Sequence, residues 1–320
     1  MVKIYHRKTQ QVIEQAGFQD GLLQKLYGRS WGKFLLPWIT FPLFSSLATI
    51  WDYSPFSKKK IADFVQTYQI ELRQFERDDY NSFAQFFTRK FKEDRRPLFE
   101  MNQVLAVADA KLQIFSVHQE RTVTIKGQDY TLADLLQDTS LAKEFEGGTL
   151  CLYRLGIEDY HRYIACETGD ILCKKNIVGK LHTIRQLAQE IYPVFKENKR
   201  CLTLINSQHG KVVQMEIGAL LVGRIYNHPL ASLVKGQEKG FFGLGGSSII
   251  VLYPKDSIEL DQGSAVCPAV QPGAVPPPVQ HRRREAGGCG KAVPDAGGRQ
   301  PRQGACLYDR RLPQQMGHTR

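Results

Sequence analysis

Between residues 240 and 248 the chain reads Gly240-Phe241-Phe242-Gly243-Leu244-Gly245-Gly246-Ser247-Ser248, and Ile249 to Tyr253 are all apolar. An apolar run bounded by glycines is a strand pattern. The stretch therefore predicts a glycine-rich loop presenting two serines at the mouth of a short apolar strand. Glycine reaches backbone conformations closed to other residues and lets a neighbouring group approach the main chain. Three readings fit such a loop. One is a turn feeding a buried strand. Another is a nest of backbone N–H groups that binds an anion. The third is self-cleavage: the serine hydroxyl attacks the carbonyl of its own preceding peptide bond, and an N-to-O acyl shift makes an ester. Elimination then leaves dehydroalanine, and hydrolysis of the enamine leaves a pyruvoyl group on the new chain terminus.

The chain has 320 residues, enough for one large domain or two. Its formal charge is +11, and the last 58 residues hold nine Lys/Arg against three acids. A positive balance suits an anionic membrane surface. No aromatic-plus-basic motif points to RNA or DNA, so no nucleic acid is expected as a partner. The seven cysteines show no CxxC spacing, which fits a reducing compartment. No metal-ligand cluster is visible, so no metal is expected. Residues Met1 to Lys8 lead into no apolar signal core.

In chain order, residues 10–26 read as a helix. Residues 34–51 carry no charge and hold Trp38 and Trp51, with Arg29, Lys33 and Lys58 to Lys60 on the flanks. Pro37 and Pro42 argue against one straight spanning helix, so the segment is expected to lie at a membrane interface or in a core. Ile61–Ile70 and Ser82–Phe91 read as amphipathic helices. Val104–Val107 reads as a strand that ends on Asp109. Alternation over 112–130 predicts strands, and Leu132–Phe145 a helix closed by Gly147-Gly148. Leu150–Leu155 is a predicted strand, and Leu202–Ile205 with Val212–Ile217 a predicted hairpin. The fold class is α+β. Residues 1–100 form a helical, membrane-associating region and 101–262 a strand-rich catalytic core. After Gln262 the chain holds eight of its 15 prolines and nine of its 27 glycines, so 263–320 is read as a disordered tail.

Several stretches, taken together, are specific. They are Phe86-Phe87-Thr88-Arg89 with Arg96-Pro97, Ala108-Asp109, and Tyr153-Arg154-Leu155 with Asp159-Tyr160-His161-Arg162. Then come Gly179-Lys180-Leu181-His182-Thr183, Asn198-Lys199-Arg200, Gly218-Ala219 with Val222 to Ile225, Lys235-Gly236 with Glu238-Lys239-Gly240, and Gly245 to Ser248. In this order and spacing the chain resembles the prokaryotic phosphatidylserine decarboxylases. Three departures stand out: Ser248 where relatives usually carry threonine, Ile164 where many carry a second histidine, and a tail unlike the family's.

The resemblance implies conversion of phosphatidylserine to phosphatidylethanolamine through a pyruvoyl group and a Schiff base. It implies a cut between Gly246 and Ser247, with Ser247 as nucleophile and pyruvoyl precursor, and large and small chains from one precursor. Asp109 and His161 match the charge-relay pair, and His182 is a secondary proton-transfer candidate. Read without the resemblance, Asp109 is a turn residue and His161 a satisfied surface histidine. The implied location is peripheral, on the cytoplasmic face of the cell membrane, and a homodimer is admitted. Two rivals remain: a non-enzymatic membrane-surface protein, and a pyruvoyl-dependent decarboxylase of a soluble amino acid. Two chains on a denaturing gel would exclude the first, and the apolar segment 34–51 favours a lipid over the second.

Overall fold

A computed structural model of the chain describes residues 2–6, 11–15, 25–41, 49–92, 104–118, 120–125, 128–184, 186–189, 191–220, 224–245, 247–259 and 280–281. Gly246, Arg96, Pro97, Val222, Gly223 and, apart from 280–281, the predicted disordered tail lie outside these residues.

The chain opens on a hairpin, β1 (Val2–His6) and β2 (Gln11–Gln15), with Ile4 opposite Ile13. This corrects the helix predicted over 10–26 at residues 11–15; residues 10 and 16–24 lie outside the described residues, and 25–26 are helical. Val2, Ile4, Val12 and Ile13 are β-branched and favour extended backbone, and the first helical turn among the described residues is at 25–28. Among the described residues the α-helices α1 (Ser30–Ile39), α2 (Ile50–Tyr53), α3 (Lys59–Tyr68) and α4 (Phe83–Phe87) follow.

Ser82 starts α4 by accepting the Gln85 N–H. The helix stops at Phe87, short of the Phe91 predicted. Arg162 explains the stop: its Nε and Nη2 donate to the Thr88 carbonyl at 3.1 and 2.9 Å, and Nε also donates to the Arg89 carbonyl. Those carbonyls are thereby held away from a continuing helix.

From residue 104 the chain is strand-rich. Val104–Val107 forms no regular strand, so the strand predicted there is corrected: β3 (Lys111–Ser116) begins after the Asp109 bend. β4 (Thr122–Ile125) and β5 (Gln128–Thr131) form a hairpin. The single helix predicted from Leu132 is two, α5 (Leu132–Leu136) and α6 (Thr139–Lys143). Gln137 between them is left-handed, and the Asp138 carboxylate caps α6 by accepting the Leu141 N–H.

The remaining elements are β6 (Thr149–Leu155), β7 (Arg162–Ile164), β8 (Gly169–Ile177), α7 (Gln186–Gln189), α8 (Val194–Glu197), β9 (Arg200–Ser207), β10 (Gly210–Ile217), β11 (Ile225–Asn227), β12 (Ser232–Leu233), β13 (Glu238–Phe242), β14 (Ser247–Tyr253), β15 (Ile258–Glu259) and β16 (Gln280–His281). The β9–β10 hairpin falls where it was predicted.

Seven strands form an antiparallel sheet in the order β12-β8-β9-β10-β14-β6-β3, and β11-β13-β7 form a smaller sheet. The fold is α+β, as expected. One face of the large sheet packs Leu150, Leu152, Met215, Ile250 and Leu252 against α5, α6 and α8. The other packs Tyr153, Ile249, Val251 and Tyr253 against Tyr163 and Phe242 of the small sheet. β14 lies between these layers and all seven of its residues are buried. A strand covered on both faces reads as a continuous apolar run rather than an alternation.

Buried charge fastens the two sheets. Lys239 of β13 donates to both carboxylate oxygens of Glu216 on β10, at 2.7 and 2.8 Å, and to Asn227 Oδ1 at 3.0 Å. Asn227 and Gln214 donate back to Glu216. Every polar atom of the pair is therefore engaged, which a buried ion pair requires. We expect Lys239→Met to cost about 3–5 kcal/mol because it strands Glu216. Lys239→Met with Glu216→Leu should recover most of that loss in urea unfolding. Equal losses for the single and double variants would show that the pair does not couple.

Candidate active site

The glycine loop joins β13 to β14. Gly245 has φ +98°, in the region that favours glycine. Leu244 packs on Ala84 and Phe87 of α4, and the Phe242 N–H donates to the His161 carbonyl at 2.9 Å. The loop is thus held by α4 on one side and by the residue before β7 on the other.

Ser247 and Ser248 are both fully buried, and neither Oγ has a hydrogen-bond partner. An unsatisfied buried hydroxyl costs about 1–3 kcal/mol, so two in succession call for a reason. Alternation along β14 separates them. Ser247 shares its face with Ile249, Val251 and Tyr253, toward the small sheet, whereas Ser248 shares its face with Ile250 and Leu252, toward the helices.

His161 lies on the small-sheet side and is fully buried, not at the surface. Its ring packs on Phe87 with centroids 4.1 Å apart. Its Nδ1 is 2.8 Å from the Asp159 carbonyl, and Nε2 has no hydrogen-bond partner. A carbonyl can only accept, so Nδ1 carries the proton and Nε2 the lone pair. Burial pushes the imidazole down to about 4, and nearby Arg89 adds to this; the backbone carbonyls of Asp159 and Gly245 oppose it. The ring is a neutral base at neutral pH, with the Gly245 backbone close by.

Asp109 is buried at the bend before β3. Its negative charge acts on Arg89 and on Asp159. The Asp159 carboxylate accepts the Gly156 N–H at 2.6 Å, and burial together with Glu158 pushes its carboxyl well above the usual range. The bond that orients His161 thus comes from the Asp159 main chain, which sequence reasoning missed. It also gave no role to Phe87 or Arg89, although both lie in the quoted Phe86-Phe87-Thr88-Arg89 stretch.

His182 belongs to the opposite face. Its Nδ1 is 3.4 Å from the Tyr27 hydroxyl, and its ring stacks on Tyr192 at 4.8 Å. Nε2 lies 3.3 Å from Glu197 Oε2, an electrostatic contact rather than an aligned hydrogen bond. Asn198 clamps the His182 backbone on both its N–H and its carbonyl. Tyr27 and the neighbouring Ala188 belong to the helix-side core, so the fold sets His182 on the side of Ser248 and His161 on that of Ser247.

A profile for phosphatidylserine decarboxylase matches residues 83–273. The phosphatidylserine decarboxylase proenzyme 2 of Clostridium acetobutylicum is 36% identical, covering 82% of this chain and 91% of its own length. A proenzyme of Clostridium perfringens is 34% identical over 82% of this chain and 92% of its own, and one of Fusobacterium nucleatum 30% identical over 82% and 90%. The chain belongs to the phosphatidylserine decarboxylase family. The family match spans the glycine loop, both serines and both histidines.

The His161 environment gives a test independent of turnover. An unfolded histidine binds its proton near pH 6.5, whereas the folded one does so only near 4. Between these values the unfolded state holds more protons, so stability falls as the pH drops from about 6.5 to about 4. In a Ser247→Ala background, the stability lost between about pH 7.5 and about pH 5 should shrink in His161→Gln. An unchanged loss would mean that His161 is not buried as a neutral ring.

Proposed function

We propose that the chain is a phosphatidylserine decarboxylase that matures by cutting itself between Gly246 and Ser247. The observation that carries this reading is that a serine and an imidazole, both fully buried, each leave a polar atom without a hydrogen-bond partner, Ser247 Oγ and His161 Nε2. A serine hydroxyl attacks only once a base takes its proton. In this reading His161 Nε2 takes it, Phe87 and the Asp159 carbonyl hold the ring, the Glu158 charge favours the imidazolium that forms, and Asp109 acts through its neighbours Arg89 and Asp159. Cleavage yields a large chain of residues 1–246 and a small one from 247 onward.

The dry site at the head of β14 suits a pyruvoyl group made from Ser247. Such a group supplies an electron sink that lets the carboxylate of an amine substrate leave as carbon dioxide. His161 is then placed to return a proton to the substrate carbon. The contacts of His182 with Tyr27, Tyr192 and Glu197 support a supporting role on the Ser248 side.

Ser247→Ala is expected to leave one full-length chain on a denaturing gel and to release no carbon dioxide. His161→Ala should slow self-cleavage by about 10²-fold or more, and Asp109→Asn should slow it strongly. His182→Ala should still cleave. Normal cleavage in His161→Ala with failure in His182→Ala would move the base to His182.

We further propose peripheral attachment to the cytoplasmic face of the cell membrane, which would bring the lipid substrate to the site. Leu36 anchors α1 in the core, while Phe34 and Trp38 of the same helix are 76% and 71% exposed. Trp31, Phe41, Trp51 and Phe56 are exposed as well, and Lys59 and Lys60 open the nearby helix α3. Among the described residues no helix is long and apolar enough to cross a membrane. Binding to vesicles should strengthen with anionic lipid and weaken with salt. Equal recovery in the soluble fraction with and without anionic vesicles would count against attachment.

A further inference from the structure

Arg89 is the buried charge that this scheme leaves unused. The residue is 4% exposed, and its guanidinium lies over the rings of Phe86, at 4.8 Å, and Phe75, at 5.0 Å. Its one hydrogen bond is a long one, from Nη2 to the Glu158 carbonyl at 3.5 Å. Nε and Nη1 have no hydrogen-bond partner. Asp109 and Asp159 lie within electrostatic range, but neither bonds Nε or Nη1, and Asp159 is pushed toward its neutral form. Arginine stays charged in proteins, and a buried cation without an engaged anion is costly.

The surroundings indicate where an anion would come from. Arg89 leaves α4 two residues after Phe87, which packs on both His161 and Leu244 of the glycine loop. Its carbonyl is held by Arg162 Nε at 3.2 Å. The Glu158 carbonyl it touches opens the turn that carries Asp159 and His161. The unpaired guanidinium and the scissile loop therefore share their anchors.

We infer that Arg89 is kept unpaired in the precursor to receive the carboxylate that self-cleavage creates at Gly246. The inference rests on the self-cleavage reading above. In the first step Ser247 Oγ bonds to the Gly246 carbonyl carbon, the C–N bond breaks, and the nitrogen takes the proton. In the second step the Ser247 Cα proton is removed, a Cα=Cβ double bond forms and the Cβ–O bond breaks. The electron pair leaves with oxygen, so the large chain ends in a carboxylate. No oxidant or reductant is needed. A negative charge thus arises on the loop that shares its anchors with a guanidinium whose Nε and Nη1 are unbonded, and Arg–carboxylate pairing is strong in a low-polarity interior. Arg89 is accordingly a positioning residue that stabilises the departing carboxylate and then locks the new chain end.

Arg89→Met tests this in two full-length backgrounds. In the uncleaved Ser247→Ala precursor, removal of an unpaired charge should leave the melting temperature unchanged or raise it. In the self-cleaved protein the same change should lower it by several degrees. Equal shifts in both backgrounds overturn the proposal. If Arg89→Met stalls before cleavage is complete, it should stall as the ester, which hydroxylamine splits between 246 and 247. A stalled chain that hydroxylamine leaves intact overturns the proposal.

A third measurement needs no variant. Carboxypeptidase acting on the native, self-cleaved protein should leave Gly246 on the large chain by mass, and its removal would overturn the pairing. Cleavage in Ser247→Ala would sink the self-cleavage reading itself, whatever Arg89 does.

Discussion

β14 has no face open to water, and the site depends on that burial. Its apolar residues face helices on one side and the small sheet on the other. Charges near it are poorly screened by solvent, so pairing or neutrality is favoured, and Arg89 with its unbonded Nε and Nη1 is the exception. Lys239 and Glu216 are paired, and His161 is neutral. The same low polarity makes His161 Nε2 a base with its lone pair unspent and leaves two serine hydroxyls unsatisfied. A wetter strand would hydrate all three groups and lose the contrast between them.

The second constraint is the hold of Arg162 on the end of α4. Arg162 begins β7, binds the Thr88 and Arg89 carbonyls, and pairs with Glu238 of β13 at 2.8 Å. One side chain thus joins the N-terminal helices, the small sheet and the strand leading into the glycine loop. Shortening α4 turns Phe87 onto His161 and carries Arg89 into the interior. A longer helix would place neither residue in the same way. The aromatic face of α1 stands apart from this network: its anchor is Leu36 and its exposed rings meet no core, consistent with a surface that meets something outside the protein.

Much of this was legible in the sequence because it is local. The glycine loop and the apolar run after it, the β9–β10 hairpin, the glycine closure after α6 and the α+β class all follow from turn chemistry and hydrophobic pattern. Ser247, His161, Asp109 and His182 could be singled out because they sit in short stretches with a recognisable order. Two of the errors were local. Residues 11–15 carry β-branched residues that favour a strand over the expected helix. Val104–Val107 is apolar enough for a strand but forms none, its Val107 carbonyl accepting the Ile164 N–H of β7 at 2.9 Å.

Only the tertiary structure decided which face of β14 each serine shares with which layer, because that depends on what covers each face. It also decided that His161 is buried and oriented by the Asp159 carbonyl, a main-chain partner that no side-chain motif encodes. The end of α4 is set by Arg162, more than 70 residues further along, and the Arg89 guanidinium is covered by Phe75 from an earlier segment as well as by Phe86 of α4 itself. The sequence determined the chemical groups and their local backbone, since those depend on neighbours within a few residues. Their partners, burial and charge state depend on residues distant in the chain, and packing alone brings those together.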